Sequence, residues 1–137
     1  MTTRAKPWTP PTGRSAQLQP AGKSWDAVRV PHLLGKQALE ALGDATGAVI
    51  ENPYDGVLYW LTTPGTADQH DIDWPPGVEV WGTTAFIEVP PVDCRKGPGV
   101  RWLVPPRDQH LTDPTTLLAA LKTTAASALG PREEAPQ

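Results

Sequence analysis

Cysteine is all but missing from this chain. The single thiol, Cys94, excludes an internal disulfide framework and a paired-cysteine zinc site. Arg95 and Lys96 follow it, but no histidine or other base lies beside it in sequence to support a nucleophile. Long apolar runs are missing too. None approaches the ~18 residues needed to span a bilayer, and the amino-terminus has no hydrophobic signal core, so a cytoplasmic protein without membrane contact is expected. The histidines, His32, His70 and His110, lack ligand spacing. Gly-X-Ser-X-Gly and glycine-rich phosphate-loop motifs are absent, which leaves hydrolase, kinase and nucleoside-triphosphatase chemistry without a carrier.

Acids are lacking in one stretch only. Residues 1–24 hold Arg4, Lys6, Arg14 and Lys23 and no carboxylate, a local charge of +4. The rest sets eight bases against all 15 acids, and the whole chain comes to −3. No basic field covers the molecule, so bulk attraction to nucleic acid is not indicated, although the arm itself has the charge to touch phosphate or an acidic partner.

What is abundant is proline, with 17 residues, and tryptophan, with six, in a chain of 137 residues that fits one domain. The Pro-rich, basic segment 1–24 has little to bury besides Trp8 and is expected to be a disordered arm. A single α+β domain is expected over 25–130, with a frayed tail over 131–137. Val28 and Val30 share one face of a strand that Pro31 closes. Leu34, Ala38, Leu39, Ala41 and Leu42 fall at helical spacing over 33–42, and Gly43 is placed to end that helix.

Two apolar runs, 47–51 and 57–61, flank Asn52-Pro53-Tyr54-Asp55-Gly56, which predicts an antiparallel hairpin. The composition of 62–76 predicts a long exposed loop. Residues 78–106 then read as three strands, two of them ending in Pro-Pro pairs (Pro90-Pro91 and Pro105-Pro106) that belong at a sheet margin. Thr112-Asp113-Pro114 supplies a cap for a second helix carrying Leu117, Leu118, Leu121, Ala125 and Ala128 on one stripe and stopping at Gly130-Pro131. The sum is a mostly antiparallel sheet of about six strands with two main helices on one side.

Candidate chemistry is thin. Asp71-Ile72-Asp73 puts two carboxylates at metal-binding spacing, but in a loop where they splay. Trp60, Trp81 and Trp102 lie on three different strands and either stack bases on an open sheet face or fill the core beneath the helices; the core reading is favoured. Arg29, Arg95, Lys96 and Arg101 are the bases on or near strands and are the candidates for phosphate contact.

Taken in order, Trp25-Asp26-Ala27-Val28, the helix containing Leu33-Leu34-Gly35-Lys36-Gln37-Ala38-Leu39, the run 48–60, Pro76-Gly77-Val78-Glu79-Val80-Trp81-Gly82 and Ile87-Glu88-Val89-Pro90-Pro91 resemble a known domain. It is the catalytic half of the bifunctional DNA primase/polymerase amino-terminal domain, in the archaeo-eukaryotic primase superfamily. The resemblance covers residues 24–106 and implies an RRM-like fold. The family's first strand carries an Asp-X-Asp metal motif, its hairpin a histidine, and a later strand a third acid. Asp26 matches the first acid and Glu79 the third. The second acid falls on Val28 and the histidine on Val57 or Leu58, all apolar, and the amino-terminal half of the domain has no counterpart.

One Asp and one Glu bind Mg²⁺ weakly against its hydration. The resemblance therefore implies a truncated, degenerate member with vestigial metal positions at Asp26 and Glu79, no catalytic residue and no cofactor. Such a module binds DNA or RNA, or a replication or regulatory protein. Two alternatives stand beside it. One is a metal-dependent nucleotidyl transferase or nuclease using Mg²⁺ or Mn²⁺ at Asp26, Glu79 and the Asp71/Asp73 loop. The other is a protein-interaction module without nucleic-acid contact.

Overall fold

The computed structural model describes residues 11, 13–97, 99–106 and 111–134, with side chains described as far as residue 127. The chain runs β1 (Gln17–Pro20), β2 (Asp26–Pro31), α1 (His32–Leu42), β3 (Val49–Asn52), β4 (Val57–Thr62), β5 (Glu79–Trp81), β6 (Phe86–Val89), β7 (Arg101–Val104) and α2 (Pro114–Glu134). It is an α+β fold of two helices and seven strands, and every strand ladder is antiparallel. Five strands form one sheet in the order β5-β2-β4-β3-β7, while β1 and β6 pair as a separate ribbon.

The centre of the sheet is the hairpin β3–β4. Its turn closes through Asn52, whose Oδ1 accepts the backbone N–H groups of Tyr54 and Asp55 at 3.0 and 3.2 Å. Gly56 then takes a φ of 68°, which a side chain would disfavour. α1 follows β2 directly from Pro31 and ends at Gly43. α2 is capped by Asp113, whose Oδ2 accepts the Thr116 N–H at 3.0 Å, with Pro114 at the first helical position.

Strand alternation sorts the core into two layers. On one face Val28, Val30, Val49, Leu58 and Trp60 pack beneath α1 and α2 through Ala38, Leu42, Leu117 and Leu121. On the other face Ala27, Ile50, Tyr59, Leu61 and Trp102 pack with Ile87 and Val89 of the ribbon and with Trp25 and Leu111. Helices, sheet and ribbon thus form three layers, the antiparallel strands being divided between a five-stranded sheet and a two-stranded ribbon.

Three expectations change accordingly. The arm is not disordered as far as residue 24: β1 lies within it, Ala21 is buried, and the Pro11 carbonyl accepts the Val92 N–H at 2.9 Å. Residues 1–10, including Arg4, Lys6 and Trp8, lie outside the described residues. The third strand of the 78–106 segment extends the sheet, but the second, β6, leaves it to pair with β1, so the sheet face opposite the helices is covered. Finally, α2 continues through Gly130-Pro131 to Glu134. Pro131 forfeits one intrahelical bond, but it does so near the end of the helix, where carbonyls are open to water in any case. No described helix is long and apolar enough to cross a membrane.

Candidate functional site

Asp26 begins β2 and is 2% exposed. Its Oδ2 accepts two backbone N–H groups from the turn after β4, Gly65 at 3.1 Å and Ala67 at 2.8 Å, while its Oδ1 is buried with no hydrogen-bond partner. Burial pushes the carboxyl above the usual aspartate value, the two amide donors pull it down, and the charge of Asp68 adds to the rise. The start of the β5–β6 loop closes over this carboxylate. A Cβ on Gly82 would meet Ala67 Cβ at 2.7 Å and Asp26 Oδ2 at 3.2 Å, so only glycine permits the approach.

Glu79, the second residue the resemblance singled out, stands opposite Arg29 in the β2–β5 ladder. Directly paired residues share a face and neighbours along a strand alternate, so Asp26 projects to the helix side and Glu79 to the ribbon side. The two carboxylates are separated by the sheet and cannot close on one ion. Glu79 is exposed and engaged elsewhere: its Oε1 accepts Trp81 Nε1–H at 3.0 Å and lies 3.8 Å from Arg29 Nη1. Asp71 and Asp73 are exposed, and among the described residues no three His, Cys, Asp or Glu side chains gather as a metal site.

The nucleic-acid candidates are likewise dispersed. Trp60 lies beneath the helices, its Nε1 donating to Thr46 Oγ1 at 3.0 Å. Trp102 lies in the opposite layer, donating to the Pro91 carbonyl at 3.0 Å. Both are at most 1% exposed, so neither ring has a face for a base. Trp81 is half-buried, edge-on to Tyr59 at 5.7 Å, with the Arg29 guanidinium 5.6 Å from its ring centre. Arg29 is thus committed to an aromatic and an acid, and its Nε is buried without a partner. Arg95 and Lys96 are exposed on the β6–β7 loop. Cys94, half-buried, sits 3.5 Å from the Lys96 and Val100 carbonyls.

Arg101 belongs to a cluster that no local sequence signal announces. Glu51 on β3 is 5% exposed, yet its two oxygens accept His32 Nε2–H at 2.9 Å and Arg101 Nε–H at 3.0 Å. Arg101 also donates from Nη1 to the Gly97 carbonyl at 2.6 Å. Burial alone would raise the Glu51 carboxyl. The bonds from His32 and Arg101, with the charges of Arg101 and Lys36, outweigh it and hold the group below its usual value.

A carboxyl lowered in the folded state contributes stability that is complete above the unfolded value, near 4.5, and lost as pH falls through the folded value. Glu51→Gln is therefore expected to flatten the loss of stability below pH ~4.5, read from urea melts across pH. Arg101→Ala, which leaves the buried carboxylate with His32 alone, should cost about 1–3 kcal/mol at pH 7, the partly exposed guanidinium keeping this under the full price of a buried pair.

A groove of about 530 Å³ lies on the other side of Gly82 from Asp26, where β5 turns toward β6, walled by Ala67, Asp68, Trp81 and Phe86. Its rim is the turn Gly82–Thr83–Thr84–Ala85, closed by Ala85 N–H to the Gly82 carbonyl at 3.0 Å. Thr84 holds a φ of 84°, the left-handed region, at a position where glycine is usual. For a β-branched residue this costs roughly 1–3 kcal/mol, which the flanking strands must offset. Comparison with known proteins returned no matching family model, no matching curated protein and no matching solved structure.

Proposed function

We propose that this chain is a catalytically silent, primase/polymerase-like accessory module of the cytoplasm that works by binding. A replication or regulatory protein is the partner the geometry favours over DNA or RNA. The observation that carries the reading is the placement of Asp26 and Glu79 on opposite faces of the sheet, which denies a shared Mg²⁺ or Mn²⁺ the converging carboxylates that nucleotidyl transfer requires. Burial of Trp60 and Trp102 and the engagement of Arg29 and Arg101 by acids support the preference for protein over nucleic acid. Nucleic-acid contact keeps one observation in its favour, the exposed pair Arg95 and Lys96.

Two titrations on the full chain test this. Mg²⁺ or Mn²⁺ to ~10 mM is expected to leave tryptophan fluorescence and the Asp26 carboxyl resonance unmoved, because a lone desolvated acid does not displace the ion's hydration shell. Short single- and double-stranded DNA are expected to show no retardation at about 150 mM salt, where a real phosphate interface would still bind. Saturable metal binding at Asp26, or salt-sensitive DNA binding abolished by Arg95→Glu with Lys96→Glu, would overturn the respective half of the proposal.

A further inference from the structure

The groove at the β5–β6 corner has a charge and a shape that point to one kind of occupant. Among its lining residues Asp68 is the only charged one, and it is exposed. Directly behind Gly82 lies the second carboxylate, Asp26, with one oxygen buried and unpartnered. The Arg29 guanidinium over the Trp81 ring is balanced by Glu79 at 3.8 Å, so Asp68 and Asp26 leave the groove with a negative potential. Two aromatic rings give it an apolar side beside the polar rim: Trp81 is half-buried, and Phe86 is 57% exposed. The apolar surface continues along the outer face of the ribbon, where Pro20 pairs with Phe86 and Leu18 lies diagonal to it at 70% exposure. β5 itself is an edge strand, paired among the described residues only with β2. An unpaired strand edge is a template for a further strand.

We propose that this groove docks an extended segment of a partner protein along the free edge of β5, with a lysine or arginine over Asp68 and an apolar residue against Phe86. The proposal deepens the protein-partner reading and rests on it. Charge decides the occupant. A second copy of the chain, with 15 acids against 12 bases and a net charge of −3, brings like charge to the groove. A basic peptide does not. The left-handed Thr84 fits the same role, since it holds the rim turn in a shape the local sequence does not favour.

The test is a titration of the ¹⁵N-labelled full chain with acetyl-Leu-Thr-Lys-Thr-Leu-amide and with acetyl-Leu-Thr-Glu-Thr-Leu-amide. In an extended peptide the two leucines and the central residue share a face. The lysine peptide is expected to move the amides of residues 80–86 and the Trp81 indole signal. It should bind at least about fivefold more tightly than the glutamate peptide, and Asp68→Asn, at an exposed site, should reduce that preference to about twofold or less. Equal binding of the two peptides, shifts confined elsewhere, or no shift at ~10 mM peptide would overturn the assignment. So would dilution of the peptide-free protein moving the same amides, which would make the occupant a second copy. A single-stranded dT oligonucleotide run in parallel separates the two levels of the argument. If it displaces the lysine peptide from these amides, the protein-partner reading fails; if the oligonucleotide is inert and the peptides fail, only the groove assignment does.

Discussion

Trp60→Ala is expected to lower stability by roughly 3–5 kcal/mol and the melting temperature by on the order of 15 °C. The ring is completely buried on β4, opposite Val49 and beneath α1 and α2, and it is among the largest side chains of that layer. Its removal combines the lost transfer energy of an indole with a cavity that two helices and a sheet cannot collapse to fill. It also leaves Thr46 Oγ1 without the Nε1–H it accepts at 3.0 Å. Thermal unfolding followed by circular dichroism measures the effect. A base-stacking platform would behave in the opposite way, weakening oligonucleotide binding at an unchanged melting temperature, so this substitution separates the two roles considered for the tryptophans. Trp81→Ala, at a half-buried position on the sheet edge, should cost far less.

How much of this was legible in the sequence depends on how local each determinant is. The β3–β4 hairpin was legible because Asn52 and Gly56 build its turn within five residues. α1 was legible because its apolar spacing and Gly43 are equally local. β1 was not. Gln17-Leu18-Gln19-Pro20 has no β-branched residue and carries its one large apolar side chain outward, so its strand state comes from the ladder to β6, some seventy residues away. The same pairing draws β6 out of the sheet and covers the face that would otherwise present Trp102.

The candidate site failed to assemble for a related reason. Spacing along the chain places Asp26 on one strand and Glu79 on another, but which face each occupies is set by register, and a shift of one residue exchanges the faces. Glu51 was invisible for the complementary reason. A carboxylate in the last turn of an apolar run reads as a solvated strand end, and nothing local announces that His32 and Arg101, 19 and 50 residues away, will meet it. The turn that grips Asp26, by contrast, carried a faint signal, since Gly65 can take the left-handed conformation that aims its own amide and that of Ala67 at one acceptor.

Asp26→Ala is expected to cost about 2–4 kcal/mol, whereas Asp26→Asn should stay within about 1 kcal/mol of the native chain at pH 7. Alanine removes the acceptor from the N–H groups of Gly65 and Ala67 and opens a void under Gly82, so the 3₁₀ turn Thr66–Asp68 loses its tie to the sheet. Asparagine keeps a carbonyl oxygen for both amides and removes a desolvated charge, which offsets a buried amide NH₂ at the position of the unpartnered Oδ1. The pH dependence has the opposite sign to that of Glu51. Asp26 is raised in the folded state, chiefly by desolvation, so the native chain binds the proton more tightly than the unfolded one. Stability therefore falls as pH rises from the unfolded value, near 3.8, through the folded value. Asp26→Asn should abolish that fall and leave the acid limb to Glu51, and urea melts of Asp26→Asn, Glu51→Gln and the double variant across pH 3–7 resolve the two contributions. The carboxylates lie in different parts of the sheet and share no hydrogen-bond partner, so their effects should add within about 0.5 kcal/mol. A stability that rises with pH at Asp26, in the sense seen for Glu51, would mean that a bound cation or the two amide donors outweigh the desolvation of the carboxylate.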